Sequence, residues 1–173
     1  MRPLLPGAAL ALLLGGGALA GPQYVDETGF AASGYDVVAY RDLETGDPAV
    51  PGSTAHVAEW NGARWAFASA ENRARFLADP AAYAPAYDGH CAYGVAKGGK
   101  VPANPNLWRI VDGTLYLNIN PAVAMIWERD LTDQIARSEG NWPELEDDPA
   151  SERRWTSINS NRGTFSAAAP LDP

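Results

Sequence analysis

Cysteine is almost missing from this sequence: 173 residues contain one, Cys91. A single thiol closes no disulfide within the chain, so no disulfide framework supports the fold. Its solitude also excludes an internal dithiol cycle and a haem attachment motif, each of which needs a second cysteine. What remains for Cys91 is burial as a small apolar group, ligation of a metal, or pairing with another chain. Histidine is nearly as scarce, with His56 and His90 alone. Positive charge is also short: 13 Lys and Arg stand against 21 Asp and Glu, a formal net charge of -8. Such an acidic chain repels nucleic acid and anionic lipid alike, so neither is an expected partner. After the first 20 residues no run is apolar and long enough to span a bilayer. There is no long low-complexity tract and no visible internal repeat.

The chain opens with "MRPLLPGAALALLLGGGALA". Arg2 supplies a short positive region, residues 4 to 14 are almost wholly apolar, and Ala18-Leu19-Ala20 fits the small-x-small rule. The pattern predicts a secretory signal peptide cut after Ala20, hence a periplasmic or secreted protein. An uncleaved anchor fits less well, because the apolar run is short for about 30 Å of hydrocarbon and Gly15 to Gly17 weaken its helix. Loss of Arg2 moves the formal charge from -8 to -9. The remaining residues suit one domain with an adequate core. Residues 21–33 read as a polar lead-in and 34–145 carry the periodic hydrophobic pattern. Residues 146–173 read as a mostly irregular tail, with Trp155 and Phe165 as anchors onto the body.

Within the body, "GYDVVAY" reads as a short strand or turn. His56 to Trp60 and Arg64 to Phe67 read as strands joined by Asn61-Gly62, the favoured pair for a two-residue turn. Ser69 then caps a short helix that stops before Pro80, with Phe76 and Leu77 expected inward. A second hairpin follows in "NLWRIVDGTLYLNIN", turning at Asp112-Gly113. Asn120-Pro121 opens a helix whose inner stripe is Val123, Ile126, Trp127, Leu131 and Ile135, with Gly140 as its stop. The expected fold is a small single α+β domain of antiparallel hairpins packed with two or three helices.

These landmarks fall in a familiar order. Gly34-Tyr35-Asp36 with Ala39-Tyr40 leads to Trp60-Asn61-Gly62 and Phe67-Ala68-Ser69. Glu71-Asn72, Phe76, Pro80 and Tyr83-Ala84-Pro85 follow, and Cys91-Ala92-Tyr93 closes the set. Over residues 34–98 the chain resembles the YHS domain family, in particular its exported bacterial branch. The second hairpin and its helix look like the extension that accompanies this branch. The resemblance implies binding of heavy metal ions, which in relatives is assigned to cysteines. Here "YDVVAY" has none, Ala68 and Asn72 stand where His or Cys would be expected, and His90 replaces an aromatic residue common in the branch.

The residues themselves point two ways. A thiolate and an imidazole suit copper, so Cys91 and His90 are candidate ligands, with His56 as a third and Asp88 as an extra donor. Adjacent residues of an extended segment point oppositely, so both meet one ion only across a turn, which Gly89 allows. A second copy of the chain or a partner protein could complete such a site. The other reading is a small-ligand or peptide module in which Cys91 is structural. Its aromatic groove would be walled by Tyr87, Tyr93 and Trp65, with Tyr83 and Trp108, and Lys97, Lys100 and Arg109 at the rim. His90 is poorly placed to act as a base for Cys91, so no enzyme is expected.

Overall fold

The computed structural model describes residues 21–151, 158–160, 163–165 and 168–171. The expected signal peptide and Trp155 lie outside them. Strands β1 (Ser53–Trp60) and β2 (Ala63–Phe67) form the first hairpin, and helix α1 (Ala70–Ala78) follows. A short helix α2 (Ala92–Ala96) precedes the second hairpin, β3 (Asn104–Val111) with β4 (Thr114–Asn118). Helices α3 (Pro121–Arg129) and α4 (Leu131–Leu145) come next, and a small hairpin of β5 (Ile158–Ser160) and β6 (Gly163–Phe165) lies near the end. This is a small single-domain α+β fold, with each sheet two-stranded and antiparallel.

The turn chemistry acts as its sequence dictates. Asn61 and Gly62 have φ of 47° and 70°, and Asp112 and Gly113 have 48° and 81°, the left-handed pair of a two-residue hairpin turn. Ser69 Oγ accepts from the Asn72 N–H at 3.1 Å, and Asn120 Oδ1 accepts from the Val123 N–H at 2.9 Å. Both helices therefore start at capping residues. "GYDVVAY" is a turn that runs into a single 3₁₀ turn over Ala39–Asp42.

Contrary to the expectation from sequence, the chain contains an internal repeat. In the first hairpin Ser53 pairs with Phe67, a bulge follows, and Val57↔Ala66 continues to Trp60↔Ala63. In the second, Asn104 pairs with Asn118, a bulge follows, and Trp108↔Leu117 continues to Val111↔Thr114. Every partner lies 51 positions after its counterpart, and so do both ends of α3 relative to α1. Each of these helices buries one residue completely, Phe76 in α1 and Trp127 in α3. Each hairpin is also preceded by three consecutive left-handed residues. They are Ala32, Ser33 and Gly34 (φ 48°, 50° and 82°) before the first, and Tyr87, Asp88 and Gly89 (φ 57°, 52° and 79°) before the second. Up to the link that follows these turns counterparts are 55 positions apart, because that link is four residues shorter in the second repeat.

Other expectations need correction. Leu77 is 47% exposed, because α1 turns only Phe76 onto the sheet. The long helix expected from Pro121 to Gly140 is two, broken at Asp130 (φ -142°, ψ 53°). Ile126 is 43% exposed, off the inner stripe. The second helix passes through Gly140 and Pro143 and is held to α2 by side chains. Ser138 Oγ donates to the Ala92 carbonyl at 3.0 Å, and Asn141 Nδ2 donates to the Val95 carbonyl at 2.9 Å. The lead-in belongs to the body, since Tyr24, Phe30, Ala31 and Ala32 are buried. Part of the tail does too: Ala169 is buried and its N–H donates to the Ser33 carbonyl at 2.9 Å.

Two clusters make the core. The larger gathers Tyr35, Val38, Tyr40, Trp65, Phe67, Phe76, Cys91 and Leu117. The smaller holds Tyr87, Val95, Tyr116 and Trp127, with Trp142 against it. Aromatic edges lock them: Trp65 and Phe76 centroids are 5.1 Å apart, and Tyr87 and Trp142 5.3 Å.

Candidate functional site

The segment containing Cys91 is a corner between the second left-handed turn and α2. Its backbone N–H donates to the Val101 carbonyl at 3.0 Å, which fixes the corner against the strand entering the hairpin. The side chain is fully buried. Its thiol donates to Asn118 Oδ1 at 3.6 Å, and the same oxygen accepts from the Tyr93 N–H at 3.3 Å, while the nearby backbone of Gly94, Ile119 and Tyr93 favours the thiolate. Burial outweighs that backbone and pushes the thiol up to about 11, so it stays protonated at neutral pH.

The first repeat has the same corner with a carboxylate in it. The Asp36 N–H donates to the Val50 carbonyl at 2.9 Å. Asp36 Oδ1 accepts from the N–H groups of Val38 at 2.9 Å and Ala39 at 3.3 Å. Oδ2 accepts from the Ala68 N–H at 2.8 Å and Asn72 Nδ2 at 2.7 Å. Val38, Ala39 and Ala68 are the repeat counterparts of Tyr93, Gly94 and Ile119. A carboxylate and a thiol thus hold one place, beside the backbone of corresponding residues at a turn-to-helix corner.

His90 precedes Cys91 and is also fully buried. Its Nδ1 lies 2.9 Å from the Tyr87 carbonyl, and its Nε2 accepts from the Ser151 N–H at 3.1 Å. That pattern requires the proton on Nδ1 and uses the lone pair of Nε2. Burial lowers the imidazole to about 4, against the pull of the Tyr87 carbonyl, so the ring is neutral. Its repeat counterpart is Tyr35, whose hydroxyl donates to the Ala168 carbonyl at 3.4 Å. Each ring therefore ties down a stretch of the C-terminal segment.

These residues do not fit a copper ion. Both His90 nitrogens are engaged, and the Cys91 thiol is fully buried, protonated and bonded to Asn118 Oδ1. His56 lies on β1 within the bulged stretch between Ser53 and Val57, partly buried. Among the described residues no group of three or more His, Cys, Asp or Glu side chains gathers to hold a metal. Asp88, the extra candidate ligand, already accepts at its Oδ1 from Gln23 Nε2 at 2.7 Å.

The aromatic candidates are also separated. Trp65 is in the larger core cluster and Tyr87 in the smaller, while Tyr93 is partly buried against both. Of the basic rim, the Lys97 ammonium lies 5.0 Å from the centre of the Tyr93 ring, and Lys100 donates to backbone carbonyls of Glu146 and Asp148. An open groove forms elsewhere, between β3, α3 and the loop at Thr45-Gly46, with a volume of about 390 Å³. Leu107, Trp108, Ala124 and Met125 supply its apolar walls. Arg109 and Glu128 form a 2.6 Å ion pair along it. Trp108 is fixed by an Nε1 bond to the Asp47 carbonyl at 2.9 Å and by its edge contact with Tyr40. Trp108 and Arg109 were legible in sequence; Met125 and Glu128 were missed, although Met125 is 44% exposed on α3.

Comparison with protein-family models, curated proteins and solved structures finds no match to this chain. Among the described residues no helix is long and apolar enough to cross a membrane.

Proposed function

We propose that this chain is an exported, YHS-like binding module without catalytic activity of its own, and that its groove beside Trp108 takes a small ligand. The observation that carries the reading is the pairing of an apolar wall with a charged edge in one open groove. Trp108, Leu107 and Met125 offer surface to an apolar body, and the Arg109–Glu128 pair offers donor and acceptor to a polar head. The groove's 390 Å³ falls within the range of small-molecule sites. Cys91 and His90 lie in the core and serve the fold, so the metal function implied by the family resemblance is not part of this proposal. Copper was the expected cofactor, and the engaged nitrogens of His90 are the reason it is set aside.

Amide chemical-shift mapping tests the reading, with aromatic carboxylates and the matching aromatic amines as probes. Saturable shifts confined to Trp108, Arg109, Ala124 and Met125, and weakened at least tenfold by Met125→Asp, support it. Shifts scattered over the surface, or unchanged in Met125→Asp, overturn it.

A further inference from the structure

Asp88 sits in the second left-handed turn, 5% exposed, where burial and the Glu146 carboxylate oppose its ionisation and Lys100 favours it. Its Oδ1 accepts from Gln23 Nε2, but among the described residues its Oδ2 has no hydrogen-bond partner. Gln23 Oε1, beside it, is also without one. Two buried acceptors left open side by side are costly and call for a donor. Lys100 does not fill the gap, because its ammonium is donated to the carbonyls of Glu146 at 2.8 Å and Asp148 at 2.7 Å.

The residue lying against that open oxygen is Gly21. It is buried, and its carbonyl accepts from Asn61 Nδ2 at 3.0 Å. A Cβ on Gly21 would stand 2.0 Å from the Glu146 carbonyl oxygen and 2.7 Å from Asp88 Oδ2, so only glycine fits there. Tyr24 fixes the approach of this segment by donating its N–H to the Asp88 carbonyl at 2.8 Å. The backbone nitrogen of Gly21 is two bonds from that Cβ position. As a peptide nitrogen it carries one hydrogen with a fixed direction; as a free terminus it would carry three, with a positive charge.

We propose that hydrolysis of the Ala20–Gly21 bond creates an α-ammonium group that docks on Asp88, making the mature N-terminus part of the folded core. The proposal rests on reading residues 1–20 as a cleaved signal. Water, delivered by a signal peptidase, adds hydroxyl to the Ala20 carbonyl carbon and a hydrogen to the Gly21 nitrogen, which then takes up a further proton. The surrounding charge suits a cation. Among the described residues Lys100 is the one base facing Asp88, and Glu146, Asp147 and Asp148 add negative charge around Lys100. Processing and folding are coupled in this arrangement, since an added residue at the terminus removes the charge from the place prepared for it.

The test compares the protein released from a fusion to begin at Gly21, the same protein begun at Ala20, and the Gly21 form acetylated at its amine. Each is made with Asp88 and with Asp88→Asn, and thermal midpoints are read. The α-amine of the Gly21 form is also titrated after isotopic methylation. The expected result is an α-amine that holds its proton at least tenfold more tightly than a free terminus, which titrates near 7.7–8.0. Asp88→Asn should abolish that excess and lower the midpoint of the Gly21 form by several degrees, while leaving the Ala20 and acetylated forms nearly unchanged. An ordinary α-amine titration, or an equal effect of Asp88→Asn on all three forms, overturns the docking. Should Asp88→Asn fail to fold, acetylation alone decides: an unchanged midpoint overturns the proposal. The mass of the exported chain tests the cleavage separately, and a start other than Gly21 overturns the processing step while the released protein still reads the pairing.

Discussion

Asp36 and Cys91 hold the same place in two repeats: the N–H of each reaches a valine carbonyl, Val50 at 2.9 Å and Val101 at 3.0 Å. The Asp36 carboxylate receives three backbone donors, and the backbone of the corresponding residues Tyr93, Gly94 and Ile119 stands around the Cys91 thiol, favouring its ionised form against burial. A charged carboxylate binds such donors more strongly than a neutral thiol, so the first corner is the tighter of the two. The equivalence explains why the only cysteine of the chain is buried without being reactive. It fills a position whose requirement is an acceptor of modest size.

Asp36→Ala should therefore cost far more stability than Cys91→Ala. The first change leaves the N–H groups of Val38, Ala39 and Ala68 and the Asn72 amide without their acceptor, which costs about 4 kcal/mol in a buried corner. The second removes a sulfur from the core and a weak acceptor, a loss of about 1–2 kcal/mol. Urea unfolding of the two variants measures both. Equal losses would mean that the Asp36 carboxylate holds its corner no more tightly than the Cys91 thiol holds the other.

The Cys91 thiol should be silent in the native protein. Its burial and its position near 11 leave almost no thiolate at pH 8, so an aromatic disulfide reagent should react only as fast as the chain opens. Reaction should reach the rate of a free thiol in denaturant. Titration with Cu(I) under anaerobic conditions should give the same affinity for the wild type and Cys91→Ala. Native reactivity that copper suppresses would restore Cys91 as a ligand.

The hairpins were legible because Asn61-Gly62 and Asp112-Gly113 announce their turns and the alternation on either side is strong. The repeat that relates them was not. Only a few identities survive at the shared spacing: Val50-Pro51 with Val101-Pro102, Gly62 with Gly113, and Asp79 with Asp130. Those pairs were the available signal, and Asp36 with Cys91 shows why they were too few. The two side chains share a hydrogen-bonding role and no chemical class. The groove was half legible for a similar reason: Trp108 and Arg109 announce themselves, whereas Met125 and Glu128 join them only through the packing of α3. Trp65 and Tyr87 were drawn into the expected groove because nothing in their spacing distinguishes a wall from a core.

Gly52→Ala should be among the most damaging single substitutions outside the corners. A Cβ there would lie 2.6 Å from the carbonyl carbon and 2.6 Å from the Cβ of Ala66, neither of which can swing aside as a long side chain would. Its own N–H donates to the Gly34 carbonyl at 2.9 Å, so the strand cannot lift away without losing that bond. Overpacking of this kind costs about 1–3 kcal/mol or more, seen as a lowered urea midpoint. The repeat counterpart, Ala103, carries the methyl group that Gly52 cannot, so Ala103→Gly should be much milder. A Gly52→Ala protein as stable as the wild type would mean that β1 and β2 are spaced more loosely than they stand here.

His90 should make stability fall as the solution is acidified. Its folded value near 4 lies below the 6.5 of an exposed imidazole, so between these values the unfolded chain binds the proton that the native ring refuses. Its contribution is complete above about pH 6.5 and is lost progressively as pH falls to 4, an effect of about 3 kcal/mol. While Gly21 is still held in a peptide bond, Asp88 works in the opposite sense over part of this window. Burial raises it from 3.8 to about 6, so its contribution is present at low pH and is lost as pH rises through 6. The two are separated by subtracting the profile of His90→Gln, which keeps a donor and an acceptor but cannot titrate. The difference in unfolding free energy between wild type and variant should slope upward with pH from 4 to 6.5 and then level off. Nitrogen shifts of the imidazole should stay those of the Nδ1–H tautomer throughout the native range, and a ring that protonates near pH 6.5 in the folded state would refute the account.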